Sequence, residues 1–219
     1  MRTGPAHDGL RLTARRPSNM IPKIGACGRE VDVALLDVPK AALLLALALA
    51  AVAPAAAIEG ENLLAPMPDD FKVGYHDAND SEAMAEYVPD AETVDNWSRM
   101  VTVQIFHKLK GADADVFAGN LAKGWRGACP GGDGRKLTSG VENGYAFSLW
   151  AFECPLNPET GKPETMWLKA TSGADSLYGV QYAYRSAANE ARAAAALSYL
   201  KAVSVCDKRH IERPCPAGM

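Results

Sequence analysis

From residue 71 onward, runs with a two-residue period dominate the chain. Phe71-Lys72-Val73-Gly74-Tyr75-His76 alternates apolar and polar side chains, the pattern of a half-buried strand, and residues 82–88 are its expected partner across Asp77, Asn79, Asp80 and Ser81. After the Pro89-Asp90 break, Val94 and Trp97, three apart, predict a short helix over 92–100. Residues 101–109 read as a strand with Val101, Val103 and Ile105 on one face and Thr102, Gln104 and Lys108 on the other. Asp113 is placed to cap a helix whose stripe is Phe117, Leu121 and Trp125, ended by Cys129-Pro130-Gly131-Gly132-Asp133-Gly134.

The second half predicts strands over 135–141, 145–154, 165–170 and 177–185. In the last, Tyr178, Val180, Tyr182 and Tyr184 share a face. Ser186 or Asn189 then caps an Ala-rich helix to about residue 205, with Ala193, Leu197, Leu200 and Val203 as its stripe. The predicted order is β-β-α-β-α-β-β-β-β-α. Adjacent strands joined by hairpins pair antiparallel, and amphipathic helices need a sheet to cover. The expected fold class is therefore α+β: an antiparallel sheet covered by about three helices, an α/β/α sandwich.

Upstream the pattern changes. Residues 41–57, AALLLALALAAVAPAAA, are apolar but for Pro54 and close on Ala55-Ala56-Ala57. As a helix they would span roughly 25 Å, short of the ~30 Å hydrocarbon core of a bilayer. Glu59 and Glu61 follow with no basic flank to hold a membrane anchor. The run reads as a secretory signal over 38–57, cleaved between Ala57 and Ile58, with 58–219 as the single globular domain. Residues 1–37 are too long for a signal's charged head and carry no sustained period. They are expected to be a mis-assigned upstream extension or disordered, with translation beginning at Met20 or, from a GTG codon, at Val38.

The whole chain has 23 Lys+Arg and 26 Asp+Glu, a net charge of −3, and residues 58–219 have 16 basic and 22 acidic side chains, a net of −6. An acidic surface makes nucleic acid and anionic membranes poor partners. Setting aside Cys27 in the leader leaves Cys129, Cys154, Cys206 and Cys215, an even number behind an export signal. Of the three possible pairings the two shortest closures, Cys129–Cys154 and Cys206–Cys215, are favoured. On chain-entropy grounds they are worth about 3.5 and about 2.7 kcal/mol. A four-thiolate metal site would need a C-x-x-C pair that the sequence lacks.

The element order, the opening strand at 71–75, Trp97 with the 101–109 segment, and the closing helix together resemble the PsbP-like superfamily of small exported α/β/α domains, over roughly residues 66–205. The resemblance implies an accessory or binding protein and no enzyme. It carries over no partner.

Chemistry-bearing motifs are sparse. His76, His107 and His210 lack i, i+4 spacing and an H-E-x-x-H context, and no G-x-S-x-G elbow marks a nucleophile. The run Asp77, Asn79, Ser81, Glu82 fails as a calcium loop, with Glu82 where Gly is needed and Val88 where a bidentate Glu is needed. Gly131–Gly134 lacks the G-K-[ST] ending of a phosphate loop. Catalytic, cofactor and metal residues are accordingly expected to be none. The tyrosine row Tyr178, Tyr182 and Tyr184 is a possible binding face, although packing beneath a helix is the commoner use of such a row. The acidic opening, including Asp69, Asp70, Asp80 and Glu86, reads as a solvated face able to receive a basic partner. The expectation is a periplasmic or secreted binding protein for an unknown protein or small ligand. The alternatives are a hydrolase assembled around His76 or His107 and a secreted inhibitor with an acidic surface.

Overall fold

Nine strands and two helices form the domain, seen in a computed structural model that describes residues 60–216. The expected extension, the signal and its cleavage between Ala57 and Ile58 lie outside the described residues. The strands are β1 (Glu61–Leu64), β2 (Phe71–Ala78), β3 (Glu82–Pro89), β4 (Arg99–Phe106), β5 (Asp133–Glu142), β6 (Tyr145–Asn157), β7 (Lys162–Ser172), β8 (Leu177–Tyr184) and β9 (Ser204–Asp207). The helices are α1 (Ala114–Ala128) and α2 (Glu190–Ala202). Seven strands make one antiparallel sheet in the order β2-β3-β4-β8-β7-β6-β5, and β1 and β9 pair as a second, two-stranded sheet.

The domain is thus mostly antiparallel sheet with two helices, and the expected α/β/α sandwich with about three helices is overturned. The helix expected over 92–100 does not form. Glu92 accepts the Ser98 backbone N–H and hydroxyl, each at 2.6 Å, and Thr93 and Asn96 exchange backbone hydrogen bonds. Side-chain-to-backbone bonding of this kind satisfies the chain locally and competes with helix formation. Trp97 is then free to enter the interior against Val88 and Met100, with the Arg185 guanidinium 4.2 Å above its ring. Two short strands, β1 and β9, had no counterpart among the predicted elements.

Each helix covers a different face. α1 packs on β5, β6 and β7 through Ala114, Ala118, Ala122 and Trp125, so small residues, rather than the expected Phe117 and Leu121, line its most buried side. That lets the backbones approach closely: a Cβ at Gly134 of β5 would lie 2.7 Å from the Ala122 Cβ. Asp113 caps α1 by accepting the Asp115 and Val116 N–H groups. Asp115 in turn accepts hydrogen bonds from Ser148 and Trp150 and pairs with Lys136 at 3.0 Å, pinning the helix to β6 and β5. On the opposite face α2, capped by Asn189, lies over β7 and β8. Leu200, Ala196 and Val203 meet Val101, Trp167, Val180, Tyr182 and Tyr184 in the main core.

The ends of the domain are held by polar clips. Cystines join Cys129 to Cys154 and Cys206 to Cys215, with Cα separations of 5.8 and 4.9 Å. Glu61 of β1 accepts the Tyr178 hydroxyl at 2.8 Å and the backbone N–H groups of Ala174, Asp175 and Ser176. This carboxylate occupies the concavity of the β7–β8 turn, and Gly173 leaves room for it, since a Cβ there would stand 2.2 Å from Glu61 Oε1 and 2.5 Å from the Ser176 carbonyl. Fully buried Asp207 of β9 accepts from Arg209 Nε and Nη2 and from the Arg209 backbone N–H.

Gly173→Ala is expected to destabilise the fold by about 1–3 kcal/mol, the usual range for forcing atoms into filled space, and urea unfolding monitored by tryptophan fluorescence measures it. The Arg209 hydrogen bonds hold the Asp207 carboxyl down at about 2, below its ordinary 3.8. A depressed acid stabilises the fold above its unfolded value and loses that contribution as pH falls. Melting temperature should therefore drop between about pH 4 and pH 2, and Asp207→Asn should lower it at pH 7 while flattening that acid limb.

Candidate functional site

α2 covers β7 and β8 and leaves the same face of β5 and β6 beside it without a helix. α2, about 10 Å across, lies over two strands that repeat every ~4.8 Å. The uncovered flank forms a cleft of about 400 Å³ lined by Thr138, Glu142, Phe147, Leu149, Lys169, Leu197, Leu200 and Lys201. Phe147 and Leu149 come from β6, Leu197 and Leu200 from α2, and these four form an apolar trough.

Lys169 is its polar centre. It stands on β7 in register with Leu149 of β6 and Val180 of β8, at a position that faces the core, and is 5 % exposed. Its ammonium donates to a Glu142 carboxylate oxygen and, at 2.5 Å, to the Val203 carbonyl at the C-cap of α2. It also lies 5.1 Å from the centroid of the Phe147 ring. A cation at a helix C-terminus meets the negative end of the helix dipole. Glu142, partly exposed, ends β5 and precedes the tight Asn143-Gly144 turn, where both residues have positive φ (47° and 77°) as a two-residue hairpin requires. Asn143 donates to the Val205 carbonyl at 2.8 Å, fixing the hairpin tip against β9. Lys201 stands exposed in the last turn of α2.

A second cleft, also about 400 Å³, opens at the start of α1 among Asp113, Asp115, Lys136, Ser139, Phe147 and Ser172. Its polar groups are committed to each other. Ser172 accepts the Ala114 N–H, Asp113 caps the helix, and Ser148, ahead of Lys136 and Trp150, draws the Asp115 carboxyl below the ordinary aspartate range. It is a structural joint.

The residues singled out from sequence are placed elsewhere. Tyr178, Tyr182 and Tyr184 do share a face, but all three are buried; the Tyr182 ring lies 5.3 Å from both the tilted Tyr184 ring and the edge-on Tyr199 ring. Burial raises the Tyr184 phenol to about 12 and the Tyr178 phenol further. The row is core and offers no binding face. The acidic opening is also partly consumed: Glu86 is buried, Asp70 pairs with Arg99 at 2.5 Å, and Glu92 closes the 92–98 loop. His76 and His107 are exposed. His107 Nδ1 comes 3.5 Å from the Ser176 hydroxyl, but neither histidine lines either cleft. Among the described residues no group of three or more His, Cys, Asp or Glu side chains gathers around a point that could hold a metal. The sequence reading passed over Lys169 and Glu142. A lysine at an inward position between Trp167 and Thr171, and the Asn143-Gly144 turn, were the available signals.

No family model matches the chain, and no curated protein matches it. Among solved structures it is similar to LpqN, described as involved in cell envelope biogenesis of Mycobacterium tuberculosis, with a TM-score of 0.35 and 10 % identity over 68 % of this chain and 87 % of that one. A likeness of that size carries no argument about site or partner, and the PsbP-like superfamily is not shown by these comparisons.

The site makes an asymmetric demand on stability. Removing Glu142 leaves a buried ammonium short of an acceptor, whereas removing Lys169 leaves a carboxylate that water already reaches. Glu142→Ala is expected to cost roughly 1–3 kcal/mol and Lys169→Met less than about 1, because the apolar gain offsets the released Val203 carbonyl. The double variant should resemble Lys169→Met. Chemical denaturation of the three variants at pH 7 measures the order.

Proposed function

We propose that this chain is an exported envelope protein that acts by binding, without catalysis, and that the cleft beneath α2 holds its ligand. Export is supported by the paired cysteines, which an oxidising compartment makes and a reducing cytosol does not maintain, together with the signal-like run ahead of the domain. The observation that carries the binding reading is the cleft itself: an apolar trough of Phe147, Leu149, Leu197 and Leu200 with a desolvated Lys169 at its floor and Thr138, Glu142 and Lys201 around it, apolar walls with a few placed polar groups as in small-molecule sites. His76 and His107, the candidate bases of a hydrolase, are exposed and do not line this cleft.

Two measurements test this. Intact mass of protein recovered outside the cytoplasm should correspond to a chain beginning at Ile58, with no alkylation before reduction and four alkylations after it. Full-length cytosolic product with freely alkylated thiols overturns export. Protein purified gently from its native compartment should release a small molecule on denaturation, seen by mass spectrometry, and Leu197→Trp, which fills the trough, should arrive empty. Equal loading of both overturns the cleft as the binding site.

A further inference from the structure

The charge arrangement of the cleft narrows the ligand's chemistry, and this step rests on the binding reading above. We propose that the ligand is an amphiphile carrying a single negative charge, a monocarboxylate with a short apolar tail. The charged side chains lining the cleft are Lys169, Lys201 and Glu142, which leave one positive charge uncompensated. An ammonium has three protons to donate. Among the described residues Lys169 has two hydrogen-bond acceptors, the Glu142 carboxylate and the Val203 carbonyl. The third donor is held in a nearly dry setting, 5 % exposed, beneath the trough. Its remaining neighbour is the Phe147 ring, 5.1 Å to the centroid, and a charge-assisted bond to an incoming carboxylate is stronger than such a cation–π contact.

Lys201 at the mouth supplies the second cation, so the head group lies between two ammonium groups while Glu142 limits the favourable charge to one. The tail follows the aliphatic wall of Leu149, Leu197 and Leu200, where burial of methylenes contributes to affinity. A volume of about 400 Å³ stands near the small end of ligand pockets, suited to one short chain.

The test uses the disulfide-bonded exported protein with methyl-labelled leucines, titrated separately with decanoate, decanol and decyltrimethylammonium below 1 mM. Decanoate is expected to shift the Leu149, Leu197 and Leu200 methyl signals saturably, with an affinity at least tenfold above that of either other probe. Lys201→Gln should weaken decanoate severalfold without changing the melting temperature. Lys169→Met should remove the preference for decanoate over decanol while leaving the methyl shifts with decanol in place, so a folded, cleft-competent variant reports the charge. Decanol or the ammonium probe binding as tightly as decanoate overturns the anionic class but leaves the cleft reading standing. Failure of every probe to shift these methyls, or shifts confined to other leucines, overturns both.

Discussion

A lysine ammonium cannot be left without acceptors in an apolar interior, and that constraint organises one side of this domain. Lys169 rises from β7, one of the central strands, and is answered from two directions, by Glu142 at the end of β5 and by the Val203 carbonyl where α2 stops. Three segments far apart in sequence are thereby fixed to one nitrogen. The tip of the β5–β6 hairpin is held independently by Asn143 on the Val205 carbonyl, and β9, continuing directly from α2, is tied down by Asp207 and the Cys206–Cys215 cystine. The cleft wall is assembled from elements with little freedom to close over it.

The two helices show what a different composition does. α1 presents alanines and sinks onto its strands until Gly134 of β5 nearly touches it, and its buried indole also donates to the Glu153 carbonyl at 3.0 Å. α2 approaches with Leu197, Tyr199 and Leu200, larger side chains that meet a tyrosine row of comparable bulk. The first helix leaves a joint filled with mutual hydrogen bonds, and the second a trough floored by one charge. Both sides carry a cleft of about 400 Å³, and it is the polar groups, mutually bonded on the α1 side, that set the two apart.

How legible this was depends on range. Strands with strict alternation, such as the stretch around Tyr145, Phe147 and Leu149, declared both their existence and their faces, and the caps Asp113 and Asn189 marked helix starts because capping is a local hydrogen bond. The 92–98 segment misled because Val94 and Trp97 have helical spacing while the Glu92 and Thr93 side chains bond the loop backbone, and a two-residue match does not weigh that competition. β1 and β9 carry four residues each and exist through pairing across more than a hundred residues, which no local window contains. With the third helix gone, the inferred sandwich went too. The tyrosine row shows the limit on the side of function: its shared face was readable, but whether it met solvent or a helix depended on where α2 docked.

Lys169 belongs to the same class of missed features, yet it differs from a packing detail. A Met or Leu at that position would join the Trp167 and Val180 core without the desolvation that a charge carries, so the lysine is hard to justify as a device for stability alone. Its partners make the cost tolerable without removing it, since beyond a half-exposed carboxylate and one carbonyl the ammonium has the weaker contact of the Phe147 ring. Groups held in unfavourable surroundings by an otherwise well-packed frame tend to mark places where stability has been exchanged for function. Here the frame is the antiparallel sheet, with one cystine tying α1 to β6 and another tying β9 to the tail, the group at issue is one ammonium, and the space beside it is apolar. An incoming monoanion would relieve the cost of the buried cation and cover the half-buried Leu149 and Leu197 in a single event.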